Sequence, residues 1–147
     1  MADRVLLDTN VFIHALGTDQ FMVDQCTRVL SAVADGRLEV AVSVETIQEI
    51  VNVLSRRNGD RAGAVRMARE VANSNPLIGT IEQDVSGFLE FADRYSGIGA
   101  RDALILAGAV NAGISSVVTS DKRFVDVSEI EVIRLSDRAA ITALTSI

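Results

Sequence analysis

The chain has 147 residues, 48% of them apolar and 23% charged, the make-up of one ordinary globular domain rather than of a disordered or fibrous segment. At this length a compact fold buries roughly two thirds of the surface that the unfolded chain exposes, so a core forms without disulfides or a structural metal. The single cysteine, Cys26, rules out an intrachain disulfide scaffold and argues against a thiolate-ligated metal site. A net charge of −6 excludes a protein that coats nucleic acid by bulk positive charge.

Residues 1–147 are read as one domain, with no linker, repeat or low-complexity tract. Met1-Ala2-Asp3-Arg4 runs straight into apolar sequence without a signal-peptide pattern. The densest apolar stretch, residues 103–110, is far short of the ~20 residues that cross a bilayer. A cytoplasmic protein that does not enter membranes is therefore expected.

In chain order, residues 4–7 form a short apolar run closed by Asp8-Thr9-Asn10, the pattern of a buried strand ending in a polar turn. Residues 38–42 make a second such run. Ser43 then stands where it caps a helix carrying Val44, Ile47, Val51 and Leu54 on one stripe. A further helix is expected over residues 61–73. Another carries Val85, Phe88, Leu89 and Ala92 at i, i+3, i+4 and i+7. Residues 103–112 are apolar almost all round and stop at Gly113, which predicts a buried helix with a glycine cap. Residues 116–119 and 132–135 complete four predicted strands. Strands alternating with helices imply an α/β domain of three layers, with a central parallel sheet of about four or five strands and helices on both faces.

Ligands of an open parallel sheet bind beyond the carboxyl ends of its strands. Asp8 and Asp121 stand at such ends, and Asp102 falls in the first turn of the buried helix, where the helix dipole favours a carboxylate. Taken alone, Asp102 reads equally well as a first-turn acid. Glu45 and Glu49 lie one turn apart on the second-strand helix; a solvated polar face and a functional acid are both open readings, with Glu49 better placed to look across a cleft. At an effective dielectric of 20, two charges about 5 Å apart repel by roughly 3 kcal/mol, so four acids in one pocket cost on the order of 10 to 20 kcal/mol. That compares with the stability of a whole domain, and such a cluster calls for a cation or partial protonation. Carboxylates without thiolates or a histidine pair suit Mg²⁺ or Mn²⁺ better than zinc.

Four segments, Leu6-Leu7-Asp8-Thr9-Asn10, Thr46-Ile47-Gln48-Glu49-Ile50, Ala100-Arg101-Asp102-Ala103-Leu104-Ile105 and Thr119-Ser120-Asp121-Lys122-Arg123-Phe124, occur in that order. Together they resemble the PIN domain, and within it the VapC-type toxin ribonucleases of toxin–antitoxin pairs. The resemblance implies an endoribonuclease dependent on Mg²⁺ or Mn²⁺, with Asp8, Glu49, Asp102 and Asp121 as its acidic quartet. Asp8, Asp102 and Asp121 are the expected metal ligands. Asn10 and Thr119 would orient ligands or phosphate. It also implies metal-activated water as nucleophile, products with 5′-phosphate and 3′-hydroxyl ends, a small antitoxin partner and a homodimer. The residues match the family least well around the second acid, which leaves Glu45 as a rival to Glu49.

Contacts to an RNA substrate are expected from Arg56 and Arg57, in a stretch over residues 55–69 whose net charge is +4, and from Lys122 and Arg123 beside Asp121. A solvated helix pair accounts for the arginine stretch equally well. With no Trp and one Tyr, no base-stacking platform is evident. His14 and Cys26 are read as packing residues rather than catalytic ones. A dehalogenase-type phosphotransferase would want a second Asp where Asn10 stands, and a receiver domain a differently spaced Lys. The principal alternative is a PIN-like module, catalytically silent, that binds RNA or protein; its RNA chemistry would not respond to added Mg²⁺ or Mn²⁺.

Overall fold

The computed structural model describes residues 4–124 and 127–146. Its elements are β1 (Val5–Leu7), α1 (Thr9–Ala15), α2 (Gln20–Ala34), β2 (Val40–Ser43), α3 (Val44–Asn58), α4 (Arg61–Ser74), β3 (Leu77–Ile78), α5 (Asp84–Arg94), α6 (Ala100–Asn111), β4 (Ser116–Thr119), β5 (Glu131–Arg134) and α7 (Arg138–Thr145). The five strands form one sheet in the order β3-β2-β1-β4-β5, and every pairing is parallel. All the carboxyl ends therefore open on one edge.

Alternation along the central strands sorts the chain into two cores. Val5 and Leu7 of β1, Val40 and Val42 of β2, and Val118 of β4 face a core filled from α1, α2, α3, α4 and α7. Leu6, Ala41 and Val117 face the opposite core, filled mainly from α6 with Phe91 of α5. Both faces are covered, which is why these strands read as unbroken apolar runs. Helix α6 ends as its composition predicts: Gly113 follows Ala112 with a φ of 80°, a conformation that glycine enters without steric cost.

Three features differ from the sequence expectation. First, α1, α2 and α7 lack a counterpart among the elements expected from the sequence, and so does β3, a two-residue edge strand whose Leu77 is exposed. Secondly, α3 is rolled about its axis: Thr46, Ile50 and Leu54 are buried while Val44 is exposed, because α3 packs against α1 and α4 as well as the sheet. Thirdly, the apolar stripe of α5 is split: Phe88 packs against the core, whereas much of the rest faces outward. Val85 and Leu89 are 49% and 59% exposed, whereas Asp84 and Phe91 are buried. Asp84 is drawn inward by the Ile81 N–H and the Asn111 amide, both of which donate to its carboxylate.

Leu106 is fully buried at the centre of α6, the helix that presents Asp102. Leu106→Ala should destabilise the fold by about 3 kcal/mol through lost burial and the cavity left behind. Urea unfolding followed by circular dichroism measures this.

Candidate active site

Asp8 follows the last residue of β1, and the Asp8 N–H donates to the Val118 carbonyl, continuing the β1–β4 ladder by one step. This holds the carboxylate beside Thr119. Asp8 Oδ1 accepts from the Thr9 N–H at 2.8 Å, which also caps α1, and Oδ2 accepts from the Thr119 hydroxyl at 2.7 Å and the Asn10 amide at 3.1 Å. The Thr119 hydroxyl oxygen also accepts from the Asp121 N–H at 3.0 Å, so one fully buried hydroxyl links two of the acids. Asn10 bridges as well: its amide nitrogen reaches Thr119, and its oxygen accepts from the Ser120 N–H at 3.0 Å.

Asp8, Glu49, Asp102 and Asp121 all line one cleft of about 450 Å³ at the carboxyl edge of the sheet. Glu49 comes from the middle of α3, where it accepts from the Thr9 hydroxyl at 3.1 Å. Glu45 is absent from the cleft lining. It accepts hydrogen bonds from Ser43 and Thr80 instead, and although burial raises its pKa, those bonds outweigh it and the net shift is downward. The two glutamates differ in position: Glu49 lines the cleft and Glu45 does not. Asp102 enters from the first turn of α6, whose N-cap is Gly99.

Three arginines line the same cleft, Arg57, Arg101 and Arg123. Arg101 lies 3.6 Å from Glu49, and Arg123 grips Asp121 at 3.2 Å. Of the residues expected to touch RNA, Arg57 and Arg123 reach the cleft, Arg56 lies on an outer part of α3 beside Val53, and Lys122 points to the other side of the β4 exit. Sequence reasoning missed Arg101, although it immediately precedes Asp102. It also missed the place of His14, which lines the cleft and hydrogen-bonds Ser120 at 3.0 Å. Cys26 is a buried core residue, and burial raises its thiol to about 12.

The acids are not electrostatically equal. Burial, reinforced by the charges of Asp8 and Asp121, raises the Asp102 pKa to about 6. Burial also raises Asp8, against the hydrogen bonds from Thr119 and Thr9 and with the help of Glu49 and Asp121. Burial would raise Asp121 too, but hydrogen bonds and charge from Arg123, with Arg134 behind it, hold it below the ordinary carboxylate value.

The donor set suits a hard divalent cation: carboxylate oxygens with no thiolate and a single imidazole on one open cleft. Among the described residues, no three His, Cys, Asp or Glu side chains converge as a ready coordination sphere. Asp121 and Glu49 lean instead on Arg123 and Arg101. Magnesium, which keeps several waters and takes only one or two protein carboxylates directly, is compatible with such a layout.

The PIN domain family model matches residues 5–130. The chain belongs to the PIN domain family. This PIN domain is 32% identical to ribonuclease VapC7 of Mycobacterium tuberculosis strain H37Rv, across 86% of its own length and 88% of the relative's. It is 29% identical to ribonuclease VapC23 of the same species, across 80% and 92%. Among solved structures, its fold is similar to that of Rickettsia felis VapBC2 bound to a promoter DNA fragment, with a TM-score of 0.70, 16% identity and coverage of 88% and 97%. Mycobacterium tuberculosis VapC20, a sarcin–ricin loop cleaving toxin, gives 0.62 at 17% identity, with coverage of 77% and 86%. The α/β sheet and its helices on both faces are thus those expected from the sequence.

Because folded Asp102 binds its proton more tightly than the unfolded chain does, its contribution to stability is present in full below about 3.8 and is lost as pH rises through about 6. In metal-free protein, Asp102→Asn should remove that loss. Allowing for solvent screening in an open cleft, the variant should be more stable than wild type at pH 7.5 by on the order of 1 kcal/mol, with the difference vanishing near pH 4. Paired urea titrations across this range read the effect directly.

Proposed function

We propose that this protein is a divalent-metal-dependent endoribonuclease, the toxin of a toxin–antitoxin pair, in which the 147 residues act as one catalytic unit. The observation that carries this reading is the convergence of Asp8, Glu49, Asp102 and Asp121 on one cleft at the carboxyl edge of the sheet, with two of the four pushed toward protonation. The ribonuclease names of the VapC relatives support the substrate class.

Asp8 and Asp102 are the ligands we assign directly to Mg²⁺ or Mn²⁺, with Asp121 and Glu49 acting through water or a second ion. When bound, such an ion supplies charge neutralisation at phosphate and activation of water. The chain's own groups do the rest. Thr119 and Asn10 fix the Asp8 carboxylate in one orientation. Arg57, Arg101 and Arg123 offer cationic donors at the cleft for RNA phosphates, which compensates locally for the acidic total. No side-chain nucleophile is required, and the products carry 5′-phosphate and 3′-hydroxyl ends.

The antitoxin is a protein partner that presents a basic side chain to this acidic cleft. Solved neighbours in the fold include toxin–antitoxin complexes from Salmonella typhimurium and Rickettsia felis. A homodimer is supported by Val44, Leu77, Ile81, Val85 and Leu89, all exposed on α3, β3, the segment that follows it and α5. No helix among the described residues is long and apolar enough to cross a membrane.

Purified, antitoxin-free protein incubated with a mixed pool of structured RNAs should cut with Mn²⁺ or Mg²⁺ and not with EDTA. Asp8→Asn should abolish cutting, and Asn10→Ala should slow it by about 10- to 100-fold, because it loosens an orienting group. Products ending in 2′,3′-cyclic phosphate would contradict the mechanism. RNA binding whose chemistry is indifferent to metal would favour the silent module.

A further inference from the structure

A second concavity, of about 470 Å³, lies on the other side of the β4 exit and is lined by His14, Met22, Ser120, Lys122, Arg134 and Ser136. The two sites are separated by one stretch of chain. Thr119 and Asp121 turn to the acids, Thr119 by its bond to Asp8 and Asp121 by lining the cleft, while Ser120 and Lys122 turn to the second concavity. His14 lines both and closes the wall between them through its bond to Ser120.

The two walls have opposite charge. The acidic cleft carries four carboxylates; the second concavity carries two cations and no carboxylate in its lining. Arg134 donates to the carbonyl oxygens of Asp121 at 3.3 Å and Phe124 at 3.0 Å, which anchors a positive charge at a set place. Neither Arg134 nor Lys122 forms an ion pair among the described residues. Anchored guanidinium, mobile ammonium, hydroxyls and an imidazole at one polar depression are the groups that hold a phosphate oxygen.

We propose that this concavity seats a phosphodiester of single-stranded RNA, next along the strand from the one presented to the carboxylates. The inference rests on the ribonuclease reading for its ligand class. It adds a second anchoring point, which sets the direction in which the strand leaves the acidic cleft. Lys122 and Arg134 are binding residues in it, and His14 is the shared wall against which the strand turns.

The chain has one histidine, so the His14 imidazole gives a single assignable set of NMR signals. In EDTA nothing is cut, so binding is read apart from cleavage. A single-stranded RNA of mixed sequence, about ten nucleotides long, is titrated at fixed pH and followed by the His14 signals and by fluorescence anisotropy. The expected result is saturable movement of the His14 signals. Lys122→Gln should weaken the affinity about 3- to 10-fold and lower the slope of log affinity against log salt by about 0.7. The subsite is overturned by RNA that fails to bind, by RNA that binds without moving His14, or by Lys122→Gln protein of unchanged affinity. Failure of the ribonuclease reading shows separately, as absence of metal-dependent cutting.

Discussion

The site depends on the parallel pairing of β1 with β4. That register sets Leu7 against Val118 and carries the ladder one step further, from the Asp8 N–H to the Val118 carbonyl. Asp8 and Thr119 are then neighbours at the sheet edge, and a short hydrogen bond between them holds a carboxylate that burial alone would push toward protonation. The same hydroxyl accepts from the Asp121 N–H, and Asn10 ties the next residue, Ser120, back to α1. A slip of one residue between the strands would turn every side chain to the opposite core and separate the two acids.

Four carboxylates in one cleft are tolerable because they are not left alone. The repulsion of 10 to 20 kcal/mol estimated for four bare acids omits Arg57, Arg101 and Arg123, which line the same cleft and bring its formal charge to −1. Arg123 and Arg101 take up Asp121 and Glu49. Among the described residues neither Asp8 nor Asp102 forms an ion pair, and although the charge of Arg123 partly offsets the rise at Asp102, the pKa values of both go up. What repulsion remains is thus concentrated on the acids set most rigidly, one at a strand end and one in the first turn of α6. A divalent cation bound between them would relieve it.

Much of this was legible in the sequence, for physical reasons that differ by element. The central strands announce themselves because both faces are buried, and a polar residue after such a run marks the sheet edge where Asp8 and Asp121 lie. Asp102 is visible because α6 is apolar all round and its opening acid is conspicuous. Sequence favours Glu49 over Glu45 without excluding either, since they lie one turn apart on α3, and the Thr80 hydroxyl that engages Glu45 is 35 residues away in sequence. Periodicity also misjudged α5. It detects an apolar stripe but not what covers it, and here Phe88 packs inward while Val85 and Leu89 stay exposed beside a buried Asp84 held by Asn111. Arg101 carried a signal in its adjacency to Asp102, whereas the nearness of His14 to Ser120, 106 residues apart in sequence, has no local signature.

If the cleft's unrelieved negative charge is a cation site, a divalent ion binds the folded protein there. Thermal unfolding of wild type and Asp8→Asn, each with EDTA and with a Mn²⁺ titration, tests it without any substrate. A cation that binds only the folded state raises the melting temperature with concentration, by mass action. The account predicts such a rise in wild type and a much smaller one in Asp8→Asn. A melting temperature that Mn²⁺ leaves unchanged in wild type, or raises equally in both proteins, would contradict it.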